Sequence, residues 1–133
     1  MKVATIPLAA LVLSLPTHAF SQGLVPTMER EFEFCEDRPT EPEWMQNLHV
    51  REGQKRLAIQ YIYRFQSAER VIEAGECTCA TRFPTWDTAV QTFNDNYLSG
   101  DQNDLREATA DFQRQYNELR PQARDICELE GHW

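Results

Sequence analysis

Gln54-Lys55-Arg56-Leu57-Ala58-Ile59-Gln60-Tyr61-Ile62-Tyr63-Arg64-Phe65-Gln66-Ser67-Ala68-Glu69-Arg70-Val71-Ile72-Glu73-Ala74-Gly75 decides the fold class. Ala58, Tyr61, Ile62, Phe65, Ala68 and Ile72 recur at helical spacing, and Ile59 and Tyr63 add a second apolar stripe. A helix apolar over two stripes has neighbours on two sides, so this segment is expected to be central. Gly75 supplies the left-handed stop.

The pattern repeats outward from it. Thr40-Glu41-Pro42-Glu43 combines a capping-box spacing with a proline in a first turn, ahead of Trp44, Met45 and Leu48. This predicts a first helix interrupted at Gly53. After Pro84-Thr85, the stripe Trp86, Ala89, Val90, Phe93 and Tyr97 predicts a third helix ending at Ser99-Gly100. A fourth starts near Asp101 to Asp104 and keeps one phase through Leu105, Ala108, Phe112, Tyr116, Leu119, Ala123, Ile126 and Cys127. Pro121 lies inside that phase and predicts a kink or brief break. Strand signals are nearly absent. The expected fold is all-α, a small disulfide-linked bundle of three to four helices, with its aromatic stripes in the core.

Three segments follow from composition: a signal peptide over 1–19, an acidic irregular segment over 20–39 and a helical domain over 40–133. Lys2, the apolar run Val3–Leu15, Pro16 and the small residues that follow fit export, with cleavage after Ala19 or Ser21. The apolar run is too short for a membrane anchor, and the absence of a cysteine at the cleavage site argues against a lipoprotein. No later segment is apolar enough to span a bilayer. The whole chain has a net charge of −8, and removing residues 1–19 makes it more acidic by one charge. Such a chain repels nucleic acid and anionic membranes. It is compatible with a basic protein partner. Residues 29–43 concentrate the acidity, with seven carboxylates against Arg30 and Arg38. Within them Glu31-Phe32-Glu33-Phe34 alternates polar and apolar, the pattern of a short extended piece.

All four cysteines, Cys35, Cys77, Cys79 and Cys127, follow the signal segment, and an even count in an exported chain reads as two disulfides. Disulfides without any Asn-X-Ser/Thr sequon point to a bacterial periplasm, or to secretion. Three pairings are possible. A Cys77–Cys79 bond would close a very small, strained ring. The expectation is therefore that one of the two joins Cys35 and the other Cys127. An unbroken 32-residue helix over 43–74 would hold its ends about 48 Å apart, too far for Cys35 to reach them easily. A break near Gly53 brings all four cysteines to one end of the bundle.

Chemistry-bearing patterns are few. Cys77-Thr78-Cys79 is compatible with disulfide exchange or a soft metal, and the first of these gives the alternative reading, a thiol–disulfide exchange enzyme. A metal set of Cys77, Cys79, Cys127 and His132 matches no common zinc spacing. No Gly-rich phosphate loop, Ser-His-Asp set or nucleophile elbow is visible, and the reading calls for no cofactor. Glu69 lies beside an apolar stripe and lacks a second partner for acid–base work. The preferred reading is a non-catalytic periplasmic protein-binding protein. Candidate contact residues are Phe32 and Phe34 in the acidic segment, and Ile59 and Tyr63 if the bundle leaves them exposed.

The stretch Cys77-Thr78-Cys79-Ala80-Thr81-Arg82-Phe83-Pro84-Thr85-Trp86 resembles small periplasmic accessory proteins encoded with conjugal-transfer or type IV secretion systems. The resemblance covers these ten residues and the general plan. It implies a helical, disulfide-linked partner of an envelope machine; the binding-protein reading, independent of the resemblance, equally covers an immunity protein or inhibitor, or a small chaperone.

Overall fold

The computed structural model describes Cys35 and residues 38–133; the signal segment, the cleavage sites and the Glu31–Phe34 alternation lie outside the described residues. Within it, helices follow one another with short joints: α1 (Glu43–Gln46), a 3-10 turn (Val50–Glu52), α2 (Gly53–Ala74), α3 (Cys79–Arg82), α4 (Asp87–Tyr97) and α5 (Gln102–Leu129). No strand occurs among the described residues, so the fold is the expected small helical bundle.

Helix α2 is the hub, packed principally against α5 and secondarily against α4. Its N-terminal half enters one core with Met45, Ala58, Ile59, Ile62, Tyr63, Trp86, Ala89, Phe93 and Leu105. Its C-terminal half enters a second with Ala68, Val71, Cys77, Ala123 and Cys127. Both stripes of α2 therefore meet in the first core, Ala58 and Ile62 from one and Ile59 and Tyr63 from the other, and the first stripe runs on to Ala68 in the second. Helices α2 and α5 run in the same direction. Gln54 near the start of α2 donates to Thr109 Oγ1 at 2.9 Å, and the chain just after α2 is bonded to the end of α5 through Cys77–Cys127. Helix α4 makes the return, with Gln66 donating to Thr92 Oγ1 at 2.9 Å.

The ends of the helices follow local chemistry. Asp101 forms a full capping box with Asp104, accepting from the backbone N–H groups of Asn103 and Asp104. Gly75 ends α2 at φ 67°, in the left-handed region where a side chain is strained. Gly131 ends α5 at φ 78°; its N–H donates to the Glu128 carbonyl and that of His132 to the Cys127 carbonyl. This pair of bonds is a Schellman turn, and it sends His132 and Trp133 back over the bundle.

Three expectations are corrected. The first helix is a single turn. Pro42 sits at its N-cap with no side-chain cap, and Glu41 is engaged by Arg56 and Gln60 of α2. The break falls at Asn47–His49, where His49 Nδ1 accepts from the Arg51 N–H, while Gly53 is ordinary helix at φ −55°. The expected fold-back of the first helix onto the second stands, with Met45 fully buried against Ile59 and Phe93 in the shared core. Pro121 does not interrupt α5. Pro121 and Asn117 are both exposed, so the carbonyl that loses its helical donor faces water.

Candidate functional site

Both disulfides form at one end of the bundle: Cys35–Cys79 across 44 residues of chain and Cys77–Cys127 across 50. Each member of the Cys-X-Cys pair takes a different partner. No cysteine is free, so the sulfurs of the Cys77, Cys79, Cys127 and His132 set are engaged in these bonds. Cys77 and Cys127 are fully buried in the second core, whereas Cys35 and Cys79 are half-buried. His132 Nδ1 lies 3.7 Å from Cys35 Sγ. The Cys77 N–H donates to Glu130 Oε2 at 2.8 Å, a second clasp between the α2–α3 joint and the end of α5.

Above this double clasp lies a cavity of about 280 Å³ between α2 and α5. Small residues make the space: Ser67 and Ala68 on α2 face Ala123 on α5. Larger ones wall it: Tyr63, Tyr116, Phe83 and Trp133. The α2 members fall at one helical face (63, 67, 71), as do those of α5 (116, 120, 123, 127). The floor includes Cys127, so the buried disulfide fixes the separation of the two helices.

Four of the chain's eleven arginines line this cavity: Arg38, Arg64, Arg82 and Arg120. None of the described lining residues is acidic. The Arg82 guanidinium carbon lies 4.7 Å from the Phe83 ring centroid and 5.0 Å from that of Trp133, and Arg120 reaches the other ring contact of Trp133 at 6.0 Å. Arg64 lies 4.9 Å from the Tyr61 ring. Arg38, Arg64 and Arg120 form no ion pair with a described residue; the ion pairs there are Arg56–Glu41, Arg114–Asp111 and Arg124–Glu128. Arg38 is held at the mouth from both sides, by the Cys35–Cys79 bond and by Trp86 Nε1 donating to the Pro39 carbonyl at 2.7 Å.

Tyr63 joins the cavity to the core. Its hydroxyl donates to the Pro84 carbonyl at 2.8 Å, and its ring stacks on Trp86 at 4.1 Å. Burial pushes its phenol above the ordinary value, against the hydrogen-bonding influence of Ser67 and the charges of Arg38 and Arg70.

The contact residues expected from sequence are redistributed. Ile59 and Tyr63 are 0% and 3% exposed, so they form no surface patch; the folded-back Met45 turn and Trp86 cover them. Phe32 and Phe34 lie outside the described residues. The acidic segment that suggested a basic partner mostly lies outside them too, and its Glu41 is spent on Arg56 at 2.7 Å. Sequence reading missed the arginines, Phe83 and Trp133. They come from separate segments, and the one local signal that could have placed Trp133, a helix-stopping glycine at Gly131, was not read.

A second, shallow depression is lined by Ala110, Gln113, Arg114, Asn117 and Glu118 of α5 alone, and Arg114 there is paired with Asp111 at 2.6 Å. Comparison with protein-family models, curated proteins and solved structures finds no match.

Proposed function

We propose that the chain is a non-catalytic binding protein of an oxidising compartment, the periplasm, that docks another protein at the arginine-lined end of the bundle. The cavity carries this reading. Tyr, Trp and Arg are the side chains that dominate protein–protein hot spots, and they are concentrated here on a scaffold held by two cross-links. Its volume lies at the lower limit for cofactor and substrate pockets and suits one or two anchoring side chains. Arginine does not exchange its proton near neutral pH, so the cavity's polar lining suits recognition better than acid–base work. Two disulfides agree with export, and among the described residues no helix is long and apolar enough to cross a membrane. The resemblance around Cys77–Trp86 favours an accessory component of a conjugal-transfer or type IV secretion machine as the setting.

The thiol–disulfide alternative is less well supported. Exchange within Cys77-Thr78-Cys79 requires both present bonds to be reshuffled, and Cys77–Cys127 is fully buried. The test is site-specific photo-cross-linking in the exported full-length protein. A photoreactive residue at Ser67 is expected to give one discrete protein adduct and one at Gln113, in the shallow depression, none. Equal labelling from both positions, or turnover of a disulfide substrate that Cys79→Ser abolishes, would overturn the proposal.

A further inference from the structure

The cavity's chemistry specifies what enters it. Three arginines, Arg38, Arg64 and Arg120, surround it without an ion-pair partner among the described residues. A guanidinium set of this kind on a chain of net charge −8 is a local inversion of the protein's sign. It attracts a compact anion. An extended polyanion meets the acidic remainder of the surface and is repelled. The rest of the lining is aromatic or aliphatic, with Trp133 44% exposed at the rim and Phe83, Tyr116 and Val71 further in. An isolated inorganic anion would leave these walls in contact with water. A purely apolar side chain would leave the arginines unused. The ligand that satisfies both has a carboxylate next to an aromatic ring, and a cavity of about 280 Å³ admits about one such pair.

We infer that the cavity recognises an acidic-aromatic anchor on a partner protein, a segment in which Asp or Glu adjoins Phe, Tyr or Trp. This rests on the protein-binding reading and narrows it. The aromatic ring enters between Ser67 and Ala123, where the helices carry small side chains. The carboxylate stays at the mouth, within the field of Arg38, Arg64 and Arg120, where a fork-like guanidinium pairs with it in two parallel hydrogen bonds. Trp133, turned back by the Gly131 cap and stacked by Arg82 and Arg120, closes the remaining side.

The experiment uses the full chain with both disulfides intact and four fluorescein-labelled twelve-residue peptides that differ only at a central dipeptide: Glu-Phe, Gln-Phe, Glu-Ala and Lys-Phe. Fluorescence anisotropy is expected to show the Glu-Phe peptide binding at least tenfold more tightly than each of the others, with an affinity that falls as salt rises. In Arg64→Glu/Arg120→Glu, both exchanged at the cavity lining, where neither side chain is buried, and checked by circular dichroism, the Glu-Phe peptide is expected to lose binding and the Lys-Phe peptide to gain it. That reciprocal gain separates recognition from a damaged fold. Equal binding of Glu-Phe and Gln-Phe, or of Glu-Phe and Glu-Ala, would overturn the inference. So would tighter Glu-Phe binding after Phe32→Ala/Phe34→Ala, because the chain's own Glu31–Phe34 would then be the competitor and occupant. If all four peptides fail while Ser67 still cross-links a partner, the anchor chemistry is wrong and the protein-binding reading survives. If Ser67 cross-linking fails as well, both fall.

Discussion

Replacing Cys77 and Cys127 together by alanine removes the cross-link that ties the α2–α3 joint to the end of α5. The bond spans 50 residues, and the chain-entropy relation gives about 4 kcal/mol for a loop of that size. Both sulfurs are fully buried in the second core, so their loss also removes packing, about 0.8 kcal/mol for each buried CH₂-sized group. The expected cost is therefore about 5–6 kcal/mol. Cys35–Cys79 spans 44 residues and has nearly the same entropic worth, but its half-buried sulfurs leave a smaller packing loss. Urea denaturation of Cys77→Ala/Cys127→Ala and Cys35→Ala/Cys79→Ala, followed by circular dichroism, measures both. The first variant should lose about 1 kcal/mol more than the second, and enough of a small domain's stability to leave it near its midpoint at 37 °C. A loss below about 1 kcal/mol for the buried pair, or a larger loss for the half-buried pair, would refute the argument that the buried bond is the main staple.

Tyr63 carries a phenol pushed up by burial, so its contribution is complete below the unfolded value near 10 and falls away as pH rises through the folded value. Tyr63→Phe should accordingly show a shallower loss of stability as pH rises above about 10 in thermal melts; an unchanged alkaline limb would contradict the burial assigned to the hydroxyl. Asp101 is held low by the Asp104 and Asn103 N–H groups, so its contribution is present above about pH 4 and lost as pH falls further. Asp101→Ala should lower the melting temperature at pH 7 and flatten the acid limb, and equal melting of variant and parent at pH 7 would show that the cap is idle. Gly131 stands at φ 78°, so Gly131→Ala should fray the Schellman turn and displace Trp133, read as a red-shifted tryptophan emission with most helix retained. Unshifted emission would mean that the turn does not hold the indole.

Much of the fold was legible because the rules that build it are local. The apolar spacing and glycine stop of α2, the stripe of α4 and the cap of α5 each sit within a few residues of sequence. The cysteine argument worked for a similar reason: a Cys77–Cys79 ring is strained by geometry, and the bundle end is reached only after a fold-back before α2. Two local signals misled. The Thr40–Glu43 spacing matches a capping box, but Glu41 has a better use across the chain on Arg56 and Gln60. Pro121 breaks helices in general, but here its missing donor falls on the solvent side. The single turn of α3 is too short to carry periodicity and owes its place to the Cys35–Cys79 bond and the Thr78 cap. The cavity was not legible at all. Arg38, Arg64, Arg82 and Arg120 share no motif, and they converge only through the packing of α2 on α5, both disulfides and the return of the chain at Gly131. Ile59 and Tyr63 show the converse: they lie off one stripe of α2 in sequence, yet a second neighbour buries them.

The most direct test of the account is an amide-resolved nuclear magnetic resonance titration of the ¹⁵N-labelled full chain with the Glu-Phe peptide. The account predicts shifts confined to the cavity, at Arg64, Ser67, Ala68, Val71, Phe83, Tyr116, Arg120 and Ala123, together with the indole N–H of Trp133. Shifts centred instead on Ala110–Glu118 of α5, or no shifts at peptide concentrations that saturate the anisotropy signal, would contradict it.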